Sequence, residues 1–456
     1  MREDVERPRS ENREEWKLYW AKVQPEEWFQ MWGFWRTEPA ISPERQAFLA
    51  EHRVISPDIE QCIYPFCDIR LTRADIEWLL ATLDDNKGPI DWSQPSHRQR
   101  LGLDLRGALL NKDMQYHLDL RGLPLSATRF GLDYEQWVSA TQEQRSAAAA
   151  QLQGADFRYA DLKGAVFIEA HLESTSFREA HLEEATLVAS HLEGASLWQA
   201  HLAGALLHDA HLEGASLWNT LLVDSQNITI QPADLYGVFF NAATRLNNAF
   251  LGRGKQVIKT ADIRWQNVNL AVVSWQDIRQ LGDETQAREQ KYSTGKHKER
   301  STRITEFEVA VRANRQIAVT LREQGINEPA DYFAYRALVC QRTVFRFQRK
   351  FGKYLWYGFL DLLAGHGYRP LRSFLAYLLV IVSFGGIYLL LGGNSHPLSF
   401  PEAIVVSMTA FHGRGFFSGQ FSPADPQAYV AAIEAFIGLI IEVSFIATFT
   451  QRYFGK

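Results

Sequence analysis

Three groups of residues in this 456-residue sequence could do chemistry. The first is the loop SMTAFHGRGFFSGQF, residues 407–421, where Arg414 stands between Gly413 and Gly415 and apolar runs of membrane-spanning length lie on either side. Non-helical backbone at membrane depth is tolerated only when it is buried in protein or lines a water-filled cavity. The second is the pair Glu434 and Glu442, set inside the apolar run 428–449. An ionisable side chain in a membrane span is costly and defaults to a functional role, such as attracting ions to a path. The third is His171, His181, His191, His201 and His211, ten residues apart and each directly before a leucine. Imidazole titrates near neutrality and ligates metals, so such a series could sense pH or hold a metal. A solvated polar ladder is the plainer reading, and no metal or cofactor is expected.

The residue types of an enzyme are not assembled here. There is no nucleophile–base pair, phosphate-binding glycine loop or metal quartet, so catalysis is not expected. Cys62 and Cys67 form a C-x4-C pair without a second Cys or His pair, and Cys340 stands apart, which fits neither a zinc site nor a disulfide framework. A net charge of −5 with 22% charged residues does not point to nucleic acid. The first seventeen residues are charged and lack an apolar core, so no cleavable signal is expected.

The elements that position these groups follow from periodicity. Residues 1–100 read as a mixed, mainly helical region, with Trp16, Trp20, Trp28, Trp32 and Trp35 at helix-like spacing as a core or docking face. Ser42 and Thr72 are candidate N-caps, with Pro43 at a first helical position. From residue 101 to about 275 the pattern is a repeat, interrupted by a helical insertion at about 133–149. Every fifth residue from Leu152 to Leu222 is Leu or Phe, and two places before each stands Ala, Ser or Thr. A period of five fits neither a helix nor a simple strand, and it marks a solenoid in which stacked coils bury like residues.

This run resembles the pentapeptide-repeat family, A-(D/N)-L-x-x, over at least 150–224. The resemblance implies a right-handed quadrilateral β-helix with four pentapeptides per coil. His171, His191 and His211 would then stack on one face, and His181 and His201 on the opposite one. Residues 151–225 carry eleven acidic and three basic residues. Some members of the family resemble acidic DNA and bind topoisomerase, a reading that a membrane tail fits poorly.

Residues 276–353 read as a charged linker followed by a helical hairpin, broken at Gly325 and restarted with Asn327 as N-cap and Pro329 in the first turn. Residues 354–456 begin with an aromatic, amphipathic helix suited to a membrane interface (354–363). Two apolar runs follow, 373–393 and 428–449, each long enough to span about 30 Å. Basic residues crowd before the first and after the second, and only Arg414 lies between, so both ends are expected in the cytoplasm with the chain as a multi-pass protein of the cell membrane. Between the runs, residues 399–411 form an apolar segment too short to span, with Pro401 and Glu402 in its first turn, which reads as a re-entrant half-helix.

The order span, half-helix, Gly-x-Gly loop, span is similar to the two-transmembrane pore domain of the potassium-channel superfamily, over about 370–453. The whole chain resembles bacterial proteins that join pentapeptide repeats to such a domain. The resemblance implies a homotetramer around one pore, with Phe411, His412, Gly413, Arg414 and Gly415 as the filter. Phe411 and His412 replace Thr-Val, and Phe416 replaces the Asp that follows, so the filter is atypical. On the last helix Glu434, Gly438, Glu442, Phe445 and Phe449 fall within one arc of about 80° and are expected to line the pore. In that frame Gly438 is a hinge, Phe445 and Phe449 a dewetting constriction, and the Glu442 ring makes the pore cation-conducting while Arg414 braces the loop. The partners expected are inorganic ions, lipid, three further copies of the chain and an unknown ligand or protein at the repeats. The alternative is a non-conducting, membrane-anchored repeat scaffold that binds a protein partner.

Overall fold

The structure is a computed structural model describing residues 41–453, apart from 84–88, 93, 111–117, 225–229, 255, 293–294, 366–369, 393–397, 414–421 and 423. The tryptophan series at 16–35 and the loop residues Arg414 and Gly415 lie outside the described residues. The chain divides into two units: residues 1–290 with 312–329, and residues 291–311 with 330–456.

The first unit opens with helix α1 (Pro43–Arg53) and helix α2 (Arg73–Ala81). Ser42 caps α1 by accepting from the Arg45 N–H, and Thr72 with Asp75 forms a reciprocal capping box on α2. Leu49, Ile76, Leu79 and Leu80 are buried, and Arg45 makes a bidentate pair with Asp75 at 3.0 and 2.9 Å.

A solenoid follows. Parallel bridges join residues twenty apart, as in His171↔His191, Ser176↔Ser196, His181↔His201 and Thr186↔Leu206, so one coil is four pentapeptides. The hydrogen bonds run between coils: Leu172 N–H donates to the His191 carbonyl at 2.8 Å and His191 N–H to the Ala170 carbonyl at 3.0 Å. Each inward Leu or Phe from Leu152 to Leu222 has no solvent-exposed surface. The small residues two places earlier are equally buried, because a coil has room for one large and one small side chain per edge. Where the small residue is polar it is satisfied locally: Thr175 Oγ1 donates to the Leu152 carbonyl at 2.9 Å. Two places after each inward residue, from Gly154 to Asn219, the backbone is left-handed, which turns the corner into the next face.

The insertion forms helix α3 (Tyr134–Ser139) and helix α4 (Gln142–Ala148). The solenoid resumes after it, with Phe130 stacked on Phe167 at 4.6 Å. Looser coils carry the stack through Asp234↔Lys259 and Phe239↔Arg264 to Gly254↔Ile278, around a two-residue hairpin of β1 (Gly252–Arg253) and β2 (Gln256–Val257).

The charged stretch from 276, expected as a linker with some helix, is folded up to Arg288. Helix α5 (Gly282–Arg288) buries Asp283, Glu284 and Ala287, and Glu284 is paired with Arg288 at 2.7 Å. Pairing and backbone donors keep these charged residues inside. Asp283 Oδ2 accepts from the Thr260 N–H at 2.7 Å. Residues of the following helix, α6 (Arg300–Glu323), also belong to this unit from Arg312 on. Arg312 and Gln316 hold Asp262, and Gln324 bonds the backbone of Val268 and Leu270, closing the last coils.

Burial pushes the Asp283 carboxyl up to about 6 from its usual 3.8. The folded state therefore keeps a proton that the unfolded state has already lost between about pH 4 and 6. Stability falls as pH rises through that window, by up to about 3 kcal/mol. Asp283→Asn keeps an acceptor for Thr260 and should remove this slope. Thermal unfolding of both proteins across the window is the measurement; parallel curves would mean that Asp283 is charged throughout.

The second unit holds the first part of α6, then α7 (Asn327–Phe347) from Ala330, α8 (Phe351–Ala364), α9 (Pro370–Leu391), α10 (Phe400–Phe411) and α11 (Pro426–Tyr453). Gly325 is left-handed after α6, as its position requires, and Asn327 is the first residue of α7 rather than its cap. Ala330, Phe333, Ala337, Cys340 and Val344 form the buried stripe of α7 at alternating three- and four-residue spacing. Asp361 of α8 ties three helices: Tyr335 Oη donates to it at 2.9 Å, Arg342 at 3.3 Å and Arg372 at 3.0 Å. The stretches 371–391 and 426–447 are long and apolar enough to cross a membrane.

Candidate functional site

Helix α10 is built to end abruptly inside apolar surroundings. Its start is fixed by Pro401 and by Glu402, whose Oε2 accepts from the Ser399 N–H at 2.8 Å. Its twelve residues reach about 18 Å. It packs between α9 and α11 in two clusters, Ile381–Phe411–Ile441 and Tyr388–Ala403–Val406–Ala410. At its end His412 Nδ1 donates to the Met408 carbonyl at 2.8 Å, and Gly413 turns left-handed.

A polar knot crosses this apolar packing. Glu434 is fully buried; Tyr388 Oη donates to one of its oxygens at 2.9 Å, and the other lies against Ser407 Oγ. Ser407 also reaches the Ile381 carbonyl at 2.9 Å. The three helices are thus tied by one carboxylate.

The sequence-derived residues divide along α11. Glu434 does not face an open surface, and Gly438 lies against the Phe411 carbonyl, where an added Cβ would stand only 2.1 Å from the oxygen. Within one copy of the chain both lie under α10, where Glu434 ties the three helices and Gly438 admits the Phe411 carbonyl. Glu442 is partly exposed, 3.5 Å from His412 Nε2. Phe445 and Phe449 stack at 5.9 Å between ring centres, and Phe449 is exposed. The arc is real, but α10 covers only its upper turns. Phe411 is buried, while His412 and Gly413 end the helix at the loop. Sequence reasoning missed Tyr388 and Ser407; a hydroxyl in each of two apolar runs was the available signal.

The histidines take the two opposite columns expected of them. His171, His191 and His211 stack at 5.0 and 5.1 Å between ring centres, and His181 stacks on His201 at 4.6 Å. Glutamates two places on form a second column beside them. His181 Nδ1 is 2.8 Å from Glu183 Oε1, and His171 Nδ1 is 3.2 Å from Glu173 Oε1. The desolvation of Glu183 is outweighed by its hydrogen bond to His181, which with nearby positive charge lowers its carboxyl below the usual range.

Residues 150–187 and 180–219 match the family model for pentapeptide repeats, with eight copies. No curated protein matches the chain. Among solved structures it is similar to a pentapeptide repeat protein (Rfr23) from the cyanobacterium Cyanothece 51142, with 27% identity, 28% of this chain and 86% of that one covered, and a TM-score of 0.16. It is similar to HetL of Nostoc sp. strain PCC 7120, described as involved in heterocyst differentiation regulation, with 19% identity, 46% and 97% covered, and a TM-score of 0.18. It is also similar to QnrB1, described as a plasmid-mediated fluoroquinolone resistance protein, with 12% identity, 39% and 90% covered, and a TM-score of 0.20. Residues 150–219 thus carry pentapeptide repeats, and the chain has two helices long and apolar enough to cross a membrane.

Proposed function

We propose that residues 370–453 form the pore module of a homotetrameric, cation-conducting channel of the cell membrane, with the repeat scaffold as its cytoplasmic sensor or assembly domain. The observation that carries this reading is helix α10. A capped apolar helix too short to span is held between two helices of spanning length by a buried carboxylate, and it ends at His412 with Gly413 turned left-handed. An anchor needs no such helix. One copy cannot enclose a path, so the uncovered turns of α11 at Glu442, Phe445 and Phe449 face an axis shared by copies. Glu442 then forms a ring below the loop that favours cations, Phe445 and Phe449 narrow the inner end, and Arg414 braces the loop in a filter without the potassium motif. The basic residues before α9 and after α11, including Arg342, Arg346, Arg349 and Arg452, support a topology with both ends on the cytoplasmic side.

Purified protein in detergent should have the native mass of a tetramer, and in planar bilayers it should pass potassium and sodium with little discrimination. Glu442→Gln should lower cation over anion permeability several-fold at unchanged native mass. A monodisperse monomer, or bilayers that stay silent, would instead favour the membrane-anchored scaffold.

A further inference from the structure

We propose that the two histidine–glutamate columns of the solenoid are binding sites for divalent transition-metal ions of the zinc class, one ion between His181, Glu183 and His201, and two along the opposite face bridged by Glu193. The tripeptide His-Leu-Glu occurs at 171–173, 181–183, 191–193 and 211–213. Its leucine points inward, so the residues on either side both point out from the same edge of the coil. Stacking coils then sets imidazoles in one column and carboxylates in the next, a strand spacing of about 4.8 Å apart.

Three clusters result, each with its ligand atoms within 4.8 Å of one another: His181–Glu183–His201, Glu173–His191–Glu193 and Glu193–His211–Glu213. In the first, Glu183 Oε1 lies 2.8 Å from His181 Nδ1 and 3.9 Å from His201 Nδ1. Donors on a tetrahedral zinc stand about 3.4 Å apart, since each bond is about 2.0–2.2 Å. Rotations of partly exposed side chains cover the difference. A second observation is independent of these distances. Oε2 of Glu173, Glu183, Glu193 and Glu213 is buried and has no hydrogen-bond partner. An orphaned carboxylate oxygen is costly, and a cation satisfies it. The same defect at four glutamates in three successive coils argues for one shared cause. Imidazole with carboxylate suits zinc, cobalt or nickel, whereas calcium and magnesium take oxygen alone. Lys163 is the cation facing Glu183, and its own closest acid is Asp161 at 4.0 Å.

The sites need no chemistry in the membrane, and they stand whether or not the chain conducts. Each ion would clip one coil to the next, so the ligand is also a regulator of solenoid stability. The test is equilibrium dialysis of the full-length protein in detergent against micromolar zinc, with bound metal read by elemental analysis. Cobalt serves as a second probe through its visible d–d absorption. The expected result is three equivalents of metal. His201→Gln should remove one equivalent, and Glu193→Gln, which takes a ligand from two clusters, should remove two. Far-ultraviolet circular dichroism of the metal-free variants checks that the coils remain. If His201→Gln fails to fold, Glu193→Gln carries the test on the other face. Metal lost on dialysis, or retained equally by wild type and both variants, overturns the proposal.

Discussion

Leu192→Asp is expected to abolish the cooperative unfolding of the solenoid. Leu192 has no exposed surface, and in the coils before and after it stand Leu172 and Leu212, equally buried. Its N–H is committed to the His211 carbonyl at 2.8 Å, so the backbone cannot swing the new carboxylate outward without breaking the ladder. No basic side chain reaches that column among the described residues. Burying an unpaired charge, or the proton needed to neutralise it, costs several kcal/mol, comparable with the whole stability of a domain at about 5–15 kcal/mol. In a stack of coils the damage spreads to both neighbours, because each coil is held by the next. Trp218→Asp places the same carboxylate on an exposed position of a neighbouring coil and should cost far less. Thermal unfolding followed by circular dichroism separates the two. Equal melting of Leu192→Asp and wild type would mean that the inward register is wrong.

That register was legible because a solenoid repeats its environment. One residue type recurs wherever one environment recurs, and fifteen positions from Leu152 to Leu222 vote for the same geometry. The histidine faces followed from the same arithmetic. What failed was of a different kind. A charged linker with some helix was expected over 276–304, and the burial of Asp283 was not, because the sequence shows its charge and does not show the Thr260 N–H that meets it. Glu434 shows the same limit. Its place on an arc of α11 follows from 100° per residue, yet what covers that arc depends on Tyr388, 46 residues away, and Ser407, 27 away. Periodicity fixes which residues share a face and is silent on what lies opposite. Helix α10 was readable as a unit from its cap and length, and its burial of the upper arc was not.

Gly438→Ala and Gly386→Ala are the same substitution in two apolar helices, and they should act in opposite directions. At Gly386 in α9 an added methyl meets nothing within 4 Å, so the change should be neutral or add up to about 1 kcal/mol through helix propensity. At Gly438 in α11 the methyl would lie 2.1 Å from the Phe411 carbonyl oxygen and 3.1 Å from the Phe411 ring. The first obstacle is backbone, and it cannot rotate away. Phe411 is itself fixed, buried against Ile381 and Ile441 with Tyr377 edge-on at 4.9 Å. The helices must therefore part, which opens a packed cluster and costs about 1–3 kcal/mol or more. The strain falls on the last turn of α10, where His412 and Gly413 lead into the loop. Melting in detergent should show Gly438→Ala well below wild type and Gly386→Ala at or above it. In the proposed channel, conductance should be lost in Gly438→Ala even at temperatures where it stays folded, since the last turn of α10 carries the strain. A Gly438→Ala protein that melts like Gly386→Ala would show that α11 does not approach α10 this closely and would leave a hinge as the reason for the glycine.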